Sequence, residues 1–205
     1  MLGRTYVRKT TEILEAAERV FLSQGYATTS MTDVAAAAAV SKQTVYSNFA
    51  SKQDLFAAVI GRRSAVEIDV PEDVDVATGE LRTVLVELGV AFLSHIYSRG
   101  QVELFQTVVA ESRQFPELGE LMLKGPFVET PRAIADVISA RAESGELRLT
   151  CPEEGPAMFT SLLKSDLHGR LIFSQQVDTS PDRIQGIVQR AVDLFLYGAA
   201  PEARG

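Results

Sequence analysis

The 205-residue sequence predicts an all-α chain: an N-terminal three-helix head containing a helix-turn-helix, joined by a fourth helix to a larger helical body. Three observations carry this. Apolar residues recur at helical spacing in one segment after another, and no run alternates with the period of two that a half-buried strand needs. Ser30, Ser41 and Ser51 each stand just before a helix-compatible segment, where a hydroxyl can accept from the free N–H groups of a first turn; Asp33 and Asp54 follow two of them at capping-box spacing. Gly25, Pro71, Gly100, Pro116, Pro131, Gly145, Pro152 and Pro181 punctuate the apolar stripes.

Composition sets the outer bounds. Apolar residues make up 46% of the chain, enough for a sizeable core. No apolar run reaches the roughly 18–20 residues of a bilayer span, so no membrane partner is expected. The first residues, MLGRTYVRKTTEI, lack the apolar core of a signal peptide. Cys151 is the single cysteine and has no internal disulfide partner, which fits a reduced, cytoplasmic setting. The net charge is −7, but it is unevenly spread: residues 1–52 hold six Lys/Arg against four Asp/Glu, and residues 53–205 hold 14 against 23. A polyanion would approach from the N-terminal end.

In order along the chain, residues 1–7 read as a frayed arm. Arg4, Arg8 and Lys9 could reach phosphate or the minor groove, or form a solvated basic tail. A helix is predicted from about Thr10 to Gly25, with Ile13, Ala16, Ala17, Val20 and Phe21 on one stripe. A second helix follows Ser30. A third follows Ser41, after a turn at Ala39-Val40-Ser41. Ile13, Val20, Phe21, Tyr26, Val34, Val40, Val45 and Phe49 are the predicted core of the head.

The third helix holds the functional interest. Val45 and Phe49 anchor it at i and i+4, leaving Lys42, Gln43, Thr44, Tyr46, Ser47 and Asn48 to point elsewhere. Such a helix suits a DNA major groove; an amphipathic hairpin that only packs is the alternative. Lys42 can donate to guanine O6/N7, and Gln43 can pair bidentately with adenine. Thr44 and Tyr46 carry hydroxyls suited to phosphate oxygens. Lys52 adds a cation at the next helix start. Ser30 completes the candidate set, as a cap or a contact.

Ala27-Thr28-Thr29-Ser30, Val34-Ala35-x-x-Ala38-x-Val40-Ser41, Thr44-Val45-Tyr46-x-x-Phe49 and Ser51-Lys52-x-x-Leu55 together resemble the N-terminal signature of the tetracycline-repressor-like (TetR) family of transcription regulators. The resemblance covers roughly residues 8–60. It implies phosphate clamping at Thr44, Tyr46 and Lys52 and base reading from the exposed face of the third helix. The DNA-binding domain is expected at residues 1–52 and a regulatory and dimerisation domain at 53–205. Two positions depart from the family: Ala39 and Gln43 stand where glycine is frequent. Alanine in a left-handed turn costs about 1–2 kcal/mol, and the alanine-rich second helix could instead run on by a residue. Gln43 adds a side chain able to read a base edge.

Leu55, Phe56, Val59 and Ile60 form the buried side of the fourth helix, and Arg62 and Arg63 complement its C-terminal dipole. Residues 67–78, with Pro71 and five acids, read as a linker. The body then offers helices over about 81–100 and 102–113, an interrupted segment from Pro116 to Gly145, and helices opening at Pro152 and Pro181. The last two are apolar on more than one face, which points to a partner surface. The family resemblance implies a homodimer through these two helices, presenting two heads to a palindromic operator in double-stranded DNA. Phe92, His95, Ile96, Phe105, Val109, Met122, Phe127 and Phe159 are bulky residues with few polar neighbours, the composition of a pocket for a small apolar or amphipathic effector. Val108 to Leu118 also looks like the body of one TetR subgroup linked to efflux and stress control.

The rival classes are a helical adaptor that binds only protein and a helical enzyme. An adaptor has no need of Lys42, Gln43, Thr44 and Tyr46 on one exposed helix. Ser165, Asp166 and His168 are too close along a helix to form a triad pocket. His95 and His168 lack the spacing of a zinc site, and no phosphate loop or dinucleotide fingerprint is present. The expectation is a DNA-binding repressor released by an effector, with no cofactor, metal or catalytic activity.

Overall fold

The computed structural model describes residues 2–64, 75, 78–123 and 130–198, and side chains within them from Arg8 onward except Arg63 and Ser64. Among the described residues there are ten α-helices and no strand: α1 Leu2–Gln24, α2 Met31–Ala37, α3 Lys42–Asn48, α4 Lys52–Ser64, α5 Leu81–Ile96, α6 Arg99–Glu111, α7 Pro116–Leu123, α8 Arg132–Glu143, α9 Gly155–Ile172 and α10 Pro181–Tyr197. A 3-10 turn, Pro152–Glu154, leads into α9. The chain forms two compact units: residues 1–66 with 103–128, and residues 67–102 with 129–205.

The first unit is built on α1. Ile13, Ala17 and Phe21 fall at i, i+4 and i+8, so one stripe faces Val34 of α2, Val45 of α3 and Leu55, Phe56 and Val59 of α4. Leu104, Val108, Leu118 and Met122, from the end of α6 and from α7, complete the same core. Phe21 and Phe56 meet edge to face at 4.9 Å, and Tyr26 meets Phe56 and Phe115 at 5.0 Å each. Each such aromatic pair adds about 0.5–1.5 kcal/mol beyond its area burial. The packing therefore puts α4 with the head, whereas the functional boundary read from sequence lies at 52/53.

The second unit centres on α5. Leu85, Leu88, Phe92 and Leu93 are buried against Phe159 and Leu163 of α9, Val188 and Val192 of α10, and Ile134 and Ile138 of α8. Gly89 permits the closest approach: a Cβ there would lie 2.6 Å from Val188 Cγ1 and 3.2 Å from Leu163 Cδ2. Arg82 holds Asp193 with two parallel bonds of 2.8 and 3.2 Å, pinning α5 to α10.

Four expectations need correction. Residues 2–7 are helical, not a frayed arm, because no proline intervenes and extending an existing helix costs little. Val20 is only half-buried and lies off the head core; Ala16 and Ala17 take the inward positions instead. α6 begins at Arg99 rather than near Val102. α9 is interrupted at Ser165, whose φ of 47° and ψ of −156° are not helical. The predicted linker falls almost wholly outside the described residues, as do Gly125 and Pro126.

Candidate nucleic-acid interface and effector region

The turn between α2 and α3 sets the interface. Ser30 caps α2 in a reciprocal box: its Oγ accepts from Asp33 N at 3.2 Å, and its own N donates to Asp33 Oδ2 at 2.8 Å. The Ser30 hydroxyl, donating to Asp33 Oδ2 at 2.7 Å, and then the Ser30 N–H hold the Asp33 carboxyl below its ordinary range. α2 ends at Ala37. Ala39 then takes a left-handed conformation, φ 53°. Its N–H donates to Ala36 O at 3.2 Å, and Val40 N donates to Ala35 O at 3.0 Å. These are the paired bonds of a Schellman ending, with half-buried Val40 packed on the core. The turn is thus made in spite of alanine, and α2 does not run on. Ser41 caps α3 by accepting from Thr44 N at 3.1 Å. Ser51 caps α4 by accepting from Asp54 N at 3.0 Å.

α3 is short and held by the fully buried Val45, with Phe49 half-buried behind it. Lys42, Gln43, Tyr46 and Ser47 share its open side, and Tyr46 is 46% exposed. The Lys42 ammonium lies 5.8 Å from the centroid of the Tyr46 ring. This face therefore offers a cation, an amide and a phenol side by side. Such a set can read a base edge and clamp a phosphate in one approach. Ser47 donates to Thr44 O at 2.9 Å. Thr44 is half-buried, with its hydroxyl 2.8 Å from Ser41 Oγ.

Two candidates sit differently from the sequence expectation. Asn48 is turned inward: its Nδ2 donates to Thr44 O at 2.7 Å, and its Oδ1 accepts from Thr10 Oγ1 at 2.9 Å. It braces α3 against α1. Lys52 donates to Tyr26 O at 2.8 Å and Ala27 O at 3.2 Å, and its ammonium lies 4.4 Å from the Tyr26 ring centroid. It staples the start of α4 to the α1–α2 connection, which leaves one of its three donors for other work.

Sequence reasoning missed Glu111. Its carboxylate accepts from Ala27 N at 3.2 Å. A Cβ on Gly25, which has φ +82°, would lie 2.9 Å from the same oxygen. The end of α6 thus grips the connection that leads into the helix-turn-helix. The sequence offered no signal for it, since Gly25 marked only the end of the first helix.

The eight effector candidates divide between the units. Phe92, Ile96 and Phe159 are buried in the second unit, where His95 is half-buried with its Nε2 2.7 Å from Gln101 Nε2. Met122 is buried in the first unit, Phe105 is half-buried and Val109 is 50% exposed. Phe127 lies outside the described residues. Among the described residues, no three His, Cys, Asp or Glu side chains are gathered to hold a metal ion, and no single helix is long and apolar enough to cross a membrane.

Comparison with known proteins gives a consistent picture. Residues 13–59 match the model of the bacterial regulatory proteins of the tetR family. Residues 83–199 match that of the AefR-like transcriptional repressor C-terminal domain. The HTH-type transcriptional regulator YvkB of Bacillus subtilis is 22% identical over 198 residues, covering 93% of this chain and 96% of that protein. Among solved structures, the flavonoid-responsive regulator FrrA is 28% identical with a TM-score of 0.77, covering 96% of this chain and 99% of the other. A TetR-family regulator from Mesorhizobium loti is 24% identical with a TM-score of 0.80, covering 93% and 96%. MexZ, a repressor of Pseudomonas aeruginosa, is 25% identical with a TM-score of 0.65, covering 95% and 96%. With α3 capped by Ser41, anchored by Val45 and open on its outer face, and with family models matching both the head and more than half of the whole chain, this protein belongs to the TetR family of transcriptional regulators.

Proposed function

We propose that this regulator is a homodimeric repressor that grips a palindromic operator through two copies of α3 and lets go when the body takes up a small effector. The observation that carries the reading is the open face of α3, where Lys42, Gln43 and Tyr46 stand exposed on a helix fixed by caps at its start and by Val45 beneath. Lys42 and Gln43 read base edges. Tyr46, with Ser47 and Thr44, holds phosphates. Ser30, Asn48 and the two bonds of Lys52 set the pose of α3, and the remaining Lys52 donor meets the backbone. The DNA-binding function resides in residues 1–52.

Dimerisation uses α9 and α10. Met158 and Leu194 are exposed apolar residues on these helices, and a shallow groove of about 290 Å³ between α9 and α10 is lined by Leu162, Ile187, Ala191 and Leu194 together with the charged Asp166, Arg183 and Arg190. An effector must favour the DNA-incompetent arrangement by more than it favours the competent one. FrrA responds to flavonoids, and its 28% identity over 96% of this chain supports a flat aromatic effector here. The buried rings of Phe92 and Phe159 suit such a molecule. Of the other candidates, His95 and Ile96 lie in the same unit as these two rings.

The test is selection of bound duplexes from a random library by the purified protein. The expected product is an inverted repeat with half-sites about one helical turn, or a small multiple, apart. Selection of no common sequence would defeat the reading.

A further inference from the structure

Lys164 is out of place. It lies on α9 one turn after the buried Thr160, and its ammonium rests 5.8 Å from the centroid of the buried Phe92 ring. Among the described residues no carboxylate lies within ion-pair distance of it. Burial pulls its pKa below the ordinary lysine value. Lys164 is half-buried, and a partly desolvated cation with no carboxylate beside it carries a cost that an apolar residue would not.

Its surroundings are strained and aromatic. Ser165, the next residue, adopts a left-handed φ of 47° inside α9. The Lys164 carbonyl accepts from Tyr97 Oη at 2.8 Å. The Tyr97 ring stacks on His168 at 6.3 Å between centroids. Burial, and then the nearby Lys164, lower the His168 pKa and favour the neutral imidazole. Strain of this kind persists only where the surroundings impose it, and it concentrates at ligand sites. The cluster joins one cation, with no carboxylate partner among the described residues, to three aromatic rings within the second unit.

We infer that the effector is an amphipathic acid, carrying a carboxylate or an ionised phenol, and that the Lys164 ammonium receives this group while Phe92, Tyr97 and His168 surround the adjoining apolar part. This rests on the reading that the body takes up an effector. The incoming anion supplies the missing counter-charge, so binding offsets the cost of burying the lysine. A neutral analogue of equal shape gains the apolar contacts only.

The experiment uses the full-length protein, the duplex it selects, and two matched pairs of probes: decanoate with decanamide, and 2-naphthoate with 2-naphthamide. Calorimetry at pH 7 should show the acid of at least one pair binding about tenfold tighter than its amide, the scale of one charge-assisted bond. Lys164→Met should equalise acid and amide, and Lys164→Arg should keep most of the preference. Lys164→Met should bind the duplex like the unaltered protein but need about tenfold more acid to release it. Absence of any acid preference across both pairs, including failure of all four probes to bind, overturns the inference, as does an undiminished preference in Lys164→Met. Loss of duplex binding by the unaltered protein would instead defeat the regulator reading and leave the calorimetric comparison to decide on Lys164.

Discussion

Replacing Ala39 with glycine should stabilise the protein, and the magnitude follows from the turn. Ala39 has φ 53°, where an L side chain is opposed by its own Cβ at a cost of about 1–2 kcal/mol. Glycine removes that cost but gives the unfolded chain more freedom, which offsets about 0.4–1 kcal/mol. The alanine methyl is exposed, so its loss costs no apolar burial. Both turn bonds, Ala39 N to Ala36 O and Val40 N to Ala35 O, are backbone bonds and survive the change. The net gain is about 1 kcal/mol, or about 2–4 °C in Tm for a chain of this size. Urea unfolding at one fixed protein concentration measures it, because the stability of a dimer depends on concentration. Affinity for the selected duplex should stay within about twofold, since no contact side chain moves. If Ala39→Gly is no more stable than the unaltered protein, the turn is not left-handed in solution, and the reasoning about how α3 is presented fails with it.

Other changes test other links. Lys52→Met should lower stability by about 1–2 kcal/mol in urea, because it removes two charge-assisted bonds to Tyr26 O and Ala27 O; a side chain that only touched phosphate would leave the midpoint unchanged. Gly89→Val should cost at least about 1–3 kcal/mol by thermal unfolding, since its Cβ would meet Val188 Cγ1 at 2.6 Å in a packed core. His168 has its folded pKa depressed by burial and then by Lys164, so the unfolded chain takes up the proton first. Its contribution is therefore complete above about pH 6.5 and declines as pH falls below that value. His168→Gln should flatten the stability profile between pH 7 and pH 5, and an unchanged slope would show that His168 is not the group responsible.

What the sequence disclosed was mostly local. The caps at Ser30, Ser41 and Ser51 act over three residues, so their spacing is visible in the chain, and all three hydroxyls accept the expected N–H bond. The apolar stripes of α1, α5 and α10 were legible for the same reason. Partners distant along the chain were not. Asn48 looked like an outward amide until Thr10, 38 residues earlier, proved to hold its oxygen. Glu111 reaches Ala27 across 84 residues, and no periodicity encodes that contact. The interruption at Ser165 was also hidden, because its neighbours Lys164 and Asp166 are compatible with uninterrupted helix. The burial of Lys164 against Phe92 depends on how α5 and α9 pack, which no single segment records.

The central claim is that the exposed face of α3 reads DNA. The most direct measurement is to repeat the duplex selection with Gln43→Ala beside the unaltered protein, following affinity for the selected site across a salt series. The account predicts a folded variant that still binds duplex in a salt-dependent way but relaxes its choice at one base position in each half-site, at a cost of about 1–3 kcal/mol there. An identical selected sequence, base for base, would contradict it.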